Sequence, residues 1–192
     1  HHQFRLAFIG ASTGGPQSLQ TVFSELSASF PLPLVVVQHM PPIFTAAFAQ
    51  RLDRVSGMQV FEAEDGMVLQ PGQAYVAPGG KHLDFKRKGA GISLHIDADS
   101  PAHNAHKPSV DFSLHRAIEL LDGEILAVIM TGMGKDGVEA LSRLHDRGGV
   151  VLAQDEQSSI VFGMNRRAIE AGAVDEVLEL EKLGGRMSEL AG

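Results

Sequence analysis

Short runs of apolar residues alternate along this chain with stretches whose apolar positions recur every three or four residues. That alternation reads as successive β-α units around a parallel sheet. Leu6–Ile9 is a strand, followed by a helix over roughly Pro16–Leu26; Leu34–Gln38 is the next strand, followed by a helix over roughly Ile43–Arg54. The unbroken, largely β-branched Leu34–Val37 suits a strand buried on both faces. The middle is less regular. Met58–Glu62 reads as a strand, Ala74–Ala77 and Leu83–Lys86 flank Pro78-Gly79-Gly80 as an antiparallel hairpin, and Ile92–Ile96 is a further strand. The segment from Asp97 to Pro108 has no periodicity, after which Ser109 caps a helix through Leu121 with Asp111 in its first turn. Ile125–Met130, a helix over Val138–Arg147 and Val150–Gln154 then resume the rhythm, with Gly148-Gly149 as the helix stop. Asn165–Glu170 reads as a helix and Val174–Leu178 as an edge strand. The expected architecture is α/β, a doubly wound, mainly parallel sheet with an antiparallel hairpin. With no internal repeat or linker, residues 3–192 are expected to form one domain.

Composition narrows the function classes. The 192 residues are 44% apolar and 20% charged, ordinary for a soluble protein with a substantial core. A net charge of −7 and the lack of any long basic run argue against nucleic-acid binding; Lys86-Arg87-Lys88 reads as a hairpin end. The absence of cysteine removes thiol catalysis, disulfides and Cys-based zinc sites, and fits a cytoplasmic enzyme. No apolar run reaches the length of a membrane span, so no membrane insertion is expected. His1-His2 read as the remnant of a purification tag.

Chemistry gathers at the carboxyl ends of the expected strands, where ligands bind in doubly wound sheets. Gly10-Ala11-Ser12-Thr13-Gly14-Gly15-Pro16 carries the first strand into the first helix. Glycines permit a tight turn there, and helix-start N–H groups stand beside the serine. Taken alone, this segment serves a hydrolytic nucleophile and a phosphate cradle equally well. His39 follows the second strand, in a loop stiffened by Met40-Pro41-Pro42. Asp136 lies after Ile125–Met130, in Thr131-Gly132-Met133-Gly134-Lys135-Asp136-Gly137. By itself a lone histidine is a surface or capping residue, and Asp136 a favourable charge at a helix N-terminus. Together, a hydroxyl, an imidazole and a carboxylate on one rim are the set that serine hydrolysis needs. A competing pattern overlaps them. Gly132 to Gly137 matches G-x-G-x-x-G between a strand and a helix, with Asp155 about 20 residues on, the dinucleotide-binding fingerprint of an oxidoreductase. Against it stand the two charges Lys135 and Asp136 inside the turn, and it leaves Ser12 and His39 unexplained. A metal site from Asp97, Asp99, His103 and His106 is weaker, since the spacing fits no familiar ligand pattern.

Several further segments tip this balance: Val37-Gln38-His39-Met40, Tyr75-Val76-Ala77-Pro78-Gly79-Gly80-Lys81-His82 and Lys107-Pro108-Ser109-Val110-Asp111, then Ala153-Gln154-Asp155-Glu156, Val161-Phe162-Gly163-Met164 and Ala168 through Asp175. With the Ser12 and Asp136 segments, and in this order over nearly the whole chain, they resemble the catalytic domain of the chemotaxis protein-glutamate methylesterases, the CheB family. The resemblance implies a three-layer α/β/α sandwich, with Ser12 as nucleophile, His39 as general base then acid, and Asp136 as the orienting carboxylate. It further implies that the Met133 N–H helps bind the oxyanion, with Thr13 beside the nucleophile. The implied reaction is hydrolysis of glutamate 5-methyl esters on the cytoplasmic helices of methyl-accepting receptors, releasing methanol, with related deamidation of receptor glutamines and no metal or organic cofactor. Family members usually carry an N-terminal phosphorylatable receiver domain, a partner not expected in these 192 residues. Where the family usually has proline after Gly-Met this chain has Asn165, which is expected to soften the start of that helix.

Overall fold

The computed structural model of the chain describes residues 3–192; the His1-His2 pair read as a tag remnant lies outside them. Nine strands and six helices follow in the order β1 (Leu6–Ala11), α1 (Gly15–Ser24), β2 (Leu34–Gln38), α2 (Pro42–Val55), β3 (Gln59–Glu62), β4 (Gln73–Val76), β5 (His82–Lys88), β6 (Gly91–Asp97), α3 (Val110–Leu121), β7 (Ile125–Ile129), α4 (Val138–Asp146), β8 (Val150–Gln154), α5 (Met164–Glu170), β9 (Glu176–Leu178) and α6 (Leu180–Ala191) among the described residues. Seven strands form one parallel sheet in the order β3-β4-β2-β1-β7-β8-β9, and β5 and β6 pair antiparallel apart from it.

The two faces of the central strands are sorted by their alternation. Leu6, Phe8, Val35, Val37, Ile125, Ala127 and Ile129 enter one core, against α3, α4, α5 and the β5-β6 hairpin. Ala7, Ile9, Leu34, Val36, Leu126 and Val128 enter the other, against α1, α2 and α6. Both faces are therefore apolar, which is why β1, β2, β7 and β8 are buried along their whole length. The doubly wound α/β sandwich expected from the sequence is observed, with the hairpin filling part of one outer layer.

Two expectations are corrected. Ala74–Ala77 does not pair with Leu83–Lys86. β4 lies in the parallel sheet between β2 and β3, and the hairpin joins β5 to β6 through Gly89-Ala90. The Pro78-Gly79-Gly80 stretch looks like a hairpin turn but serves a close approach instead. A Cβ on Gly79 would lie 2.6 Å from Met40 O, so the glycine lets this loop pack directly under the backbone that follows β2. Asn165, expected to soften the start of α5, ties it to the end of β8 and the loop that follows: the buried amide donates to Gln154 O (2.8 Å) and Ser159 Oγ (2.9 Å).

Helix α6 has no counterpart among the expected elements, and it runs through Gly184-Gly185, residues of low helix propensity. The two glycines differ in kind. A Cβ on Gly184 would stand 2.8 Å from Glu25 Cβ and 3.0 Å from Val22 O, so this glycine lets α6 seat against the end of α1, whereas a Cβ on Gly185 meets nothing within 4 Å. Gly185→Ala should raise stability by roughly 0.5–1 kcal/mol through helix propensity alone. Gly184→Ala should lower it, because the neighbour that must yield is partly backbone. Urea unfolding of the two variants measures both, and a shift of the same sign in each would deny Gly184 this packing role.

Candidate active site

The chain leaves β1 toward β2 on one side and, later, toward β7 on the other, so the strand order reverses at β1. In open α/β sheets the crevice at such a point, beyond the carboxyl ends of the strands, is where ligands bind. Ser12 follows β1, His39 follows β2, and Met130–Gly137 follows β7. Neighbouring strands run about 4.8 Å apart. Ser12 and His39 each sit one residue past the Ala11–Gln38 pair, with His39 N donating to Ala11 O at 3.1 Å.

Backbone bonds fix the serine turn. Ser12 N donates to Thr131 O (3.0 Å) and Gly15 N to Ser12 O (2.8 Å), while Gly14 takes φ +83°, which lets α1 begin at once with Pro16 in its first turn. Gln38 joins the two rim residues: its buried Nε2 donates to Ser12 O at 2.8 Å and to His39 O at 3.1 Å. Gly132 approaches from β7 so closely that a Cβ there would lie 2.7 Å from Ser12 Cβ. Behind it, Thr131 Oγ1 donates to Thr13 O (2.9 Å) and accepts from Val161 N (2.9 Å), binding the serine turn to the loop before α5.

Asp136 is buried and accepts hydrogen bonds at both oxygens. Oδ2 takes His39 Nε2 at 2.6 Å and Val110 N at 2.7 Å; Oδ1 takes Ser109 Oγ at 2.8 Å, Asp111 N at 3.0 Å and Asn104 Nδ2 at 3.2 Å. Burial pushes this carboxyl up, but the bonds from His39 and the two backbone N–H groups outweigh it and hold its pKa at about 2. Since an ionised carboxylate only accepts, His39 Nε2 carries a proton and Nδ1 carries the lone pair; Nδ1 is buried and has no hydrogen-bond partner among the described residues.

The expectation that Asp136 and Asp111 each favour their own helix is corrected by an exchange. Asp136, just before α4, receives the first N–H groups of α3. Asp111, in the first turn of α3, receives Ala140 N of α4 at 2.8 Å. Each carboxylate thus lies at the positive end of the other's helix. Burial raises the Asp111 pKa, partly offset by the α4 N–H groups.

The aperiodic 97–108 loop supplies what the residue pattern did not reveal. His103 and His106 close a tight turn, and the His106 ring stacks on His39 with centroids 3.6 Å apart and 7° between planes. Burial and the neighbouring His39 push the His106 pKa down. Asp97 caps its own turn through Ser100 and Asp99. Among the described residues no three His, Asp or Glu side chains converge as a metal-binding group. A cleft of about 310 Å³ between His39, Met40, Pro41 and His106 opens beside the imidazole. Ser109 was readable as a helix cap. Gln38, Asn104 and His106 were not, because their partners lie on other elements.

The dinucleotide reading meets an obstacle. The N-terminus of α4, where a pyrophosphate would sit, already donates to the buried Asp111 carboxylate, and Asp155 is bonded to Ser158 N (3.0 Å) within its own turn. Met133 is 65% exposed on the turn, and the carbonyl of the peptide before it accepts from Met164 N at 2.8 Å. In a trans peptide the Met133 N–H therefore points away from that anchor.

Comparison with known proteins gives a consistent picture. A family model described as CheB methylesterase matches residues 7–187. The protein-glutamate methylesterase/protein-glutamine glutaminase 4 of Hahella chejuensis is 44% identical over 98% of this chain and 48% of its own length. The protein-glutamate methylesterase/protein-glutamine glutaminase of Thermotoga maritima is 43% identical over 97% of this chain and 54% of its own. The chain thus spans about half the length of the curated relatives it matches. The crystal structure of the Thermotoga maritima CheB methylesterase catalytic domain superposes with a TM-score of 0.94 at 43% identity, covering 98% of this chain and 99% of that one.

The depressed pKa of Asp136 has a consequence for stability. A carboxyl held at about 2 in the folded protein, against an ordinary 3.8, contributes stability that is fully present above about pH 4 and is lost as pH falls through about 2. The shift corresponds to about 2 kcal/mol. Asp111, raised by burial, acts in the opposite direction and is present in the variant as well. Urea unfolding of wild type and Asp136→Asn at pH 7 and at steps down to about pH 2 should show their stability difference shrinking in that window. A constant difference would mean that Asp136 is not held ionised by its partners.

Proposed function

Since the chain belongs to the CheB methylesterase family, we propose that it hydrolyses glutamate 5-methyl esters on the cytoplasmic helices of methyl-accepting receptors. Ser12, His39 and Asp136 carry the reaction. What supports this reading most is the 2.6 Å bond between His39 Nε2 and Asp136 Oδ2, on a histidine one strand away from Ser12. That bond assigns the tautomer: with Nε2 protonated against the carboxylate, Nδ1 is the basic nitrogen that takes the serine proton.

Ser12 Oγ attacks the ester carbonyl carbon while its proton passes to His39 Nδ1. The carbonyl electron pair becomes an oxyanion, which the Met133 N–H receives, with Thr13 completing the wall beside the nucleophile. As the pair returns, the C–O bond to the methoxy group breaks and His39 gives that oxygen the proton, releasing methanol. Water, deprotonated by His39, then cleaves the glutamyl-serine ester and restores Ser12. Asp136 stays ionised throughout and stabilises the imidazolium. A glutamine amide follows the same course with ammonia leaving, which accords with the double names of the relatives. In this reading residues 3–192 are one catalytic domain, and the longer relatives suggest a receiver domain as a regulatory partner. Among the described residues no helix is long and apolar enough to cross a membrane.

Ser12→Ala should lower methanol release from methyl-labelled receptor membranes by at least about 10³ while the fold is kept. In the wild type, kcat/KM should rise with pH as His39 loses its proton, with no second step from Asp136, whose carboxyl is held at about 2. Turnover near wild type in Ser12→Ala, or a flat profile between about pH 5 and 8, would overturn the assignment.

A further inference from the structure

The proposed triad leaves Asn104 without a role, yet this side chain occupies a demanding place. Its Nδ2 donates to Asp111 Oδ2 at 2.7 Å and to Asp136 Oδ1 at 3.2 Å. Both partners are buried carboxyl groups whose oxygens accept from Nδ2, so the amide NH₂ lies between them with one hydrogen for each. No other uncharged side chain of this size offers two such donors. Asn104 (φ 54°) and Ala105 (φ 65°) are the central residues of the turn closed by paired bonds of 2.9 Å between His103 and His106. That conformation is one asparagine tolerates and most residues do not. The turn carries His106 onto one face of the His39 ring.

We propose that Asn104 is a positioning residue for the reaction: by bridging Asp111 and Asp136, its amide keeps two buried carboxylates together and sets the Asp136 carboxylate square to His39. This rests on the reading of Asp136 as the orienting carboxylate. Without the amide the two carboxylates face each other with no hydrogen between them. Asp136 turns or tilts to relieve the repulsion, and its bond to His39 lengthens. Asn104 also anchors the turn, so the bridge reports the position of the His106 ring to the same carboxylate that holds the His39 ring.

A merely structural asparagine, present for its left-handed backbone, makes a different forecast. Glycine takes that conformation more readily still, and aspartate tolerates it. The test is therefore Asn104→Gly and Asn104→Asp, each followed by ester kinetics over pH, thermal melting and the ¹⁵N shifts of the His39 ring, with Asp136→Asn alongside. The charged and titratable groups facing the bridge are His39 from the end of β2, His106 from its own turn and His115 from α3. Lys135 and Glu139 face it from the start of α4, and Arg167 and Glu170 from α5. All of these are unchanged in the variants.

Asn104→Gly should still fold cooperatively, melting below wild type because two buried carboxylates lose a donor, and should lose about ten- to a hundredfold in kcat with KM within about twofold. The acid limb of its profile should move down, because a lengthened bond to Asp136 stabilises the imidazolium less. The His39 ring shifts should move with it. Asn104→Asp should lose more, since a third carboxylate then stands between the two. Wild-type kcat and profile in Asn104→Gly and Asn104→Asp, with activity lost in Asp136→Asn, would overturn the positioning role alone. Wild-type activity in Asp136→Asn would overturn the orienting carboxylate and the inference with it.

Discussion

The Asp136 carboxylate is the constraint on which the rim of this sheet depends. An ionised carboxyl can be buried only if nearly all of its lone pairs are met, because the cost of taking it out of water is large. Here five donors meet it, and they come from four places: the loop after β2, the tight turn at Asn104, the cap of α3 and the first N–H groups of that helix. None of these elements is adjacent in sequence to Asp136. Satisfying one charge therefore fixes the relative positions of His39, α3 and the turn that lays His106 on His39. The requirement is strict enough that a few hydrogen bonds do the work of a rigid frame.

The exchange between Asp136 and Asp111 extends that frame. Two helix N-termini brought side by side present several unpaired N–H groups to a common interior. Had each aspartate served its own helix, α3 and α4 could slide against one another at little cost. Because each carboxylate serves the other's helix, a slide would expose two buried charges at once. The α3 N-terminus is thereby locked to the loop after β7, which is the loop that brings Gly132 against Ser12. The Ser12 turn, His39 and Asp136 are held by one continuous set of bonds, and the apolar cores on either side of the sheet need only supply the strands.

Much of this was readable before the structure. Strand ends are set by local pattern, so the placing of Ser12, His39 and Asp136 on one rim followed from counting β-α units. The Ser109 cap could be read from its position before an apolar-periodic run. What escaped were the features whose physical cause lies across the sheet. The Pro78-Gly79-Gly80 stretch has hairpin composition, but its glycine serves packing beneath Met40 rather than a turn. Gly184 resembles a helix breaker until α1 is seen lying against it. Gln38 looked like one more residue in a strand, though its amide ties the backbones of Ser12 and His39 together. A single-sequence reading can assign a residue its element; it cannot see a partner tens of residues away unless a motif announces it.

The Gly132–Gly137 turn shows how far a motif announces anything. In a dinucleotide cradle the glycines make room for pyrophosphate, and the helix that follows turns its free N–H groups toward it. Here two of the three glycines make room for protein and the third only turns the chain. Gly132 admits Ser12, Gly134 takes φ +98° to turn the chain, and Gly137, at φ +100°, admits Val110, whose Cγ1 would lie 2.8 Å from a Cβ there. The N–H groups at the start of α4 are met by Asp111. The same spacing thus arises from a different need. A carboxylate of the neighbouring helix fills the place of the phosphate, and the charge that argued against a nucleotide in the sequence, Asp136, is turned inward to His39. The glycines report tight packing and a turn at this place; only the charges around them say what the turn meets.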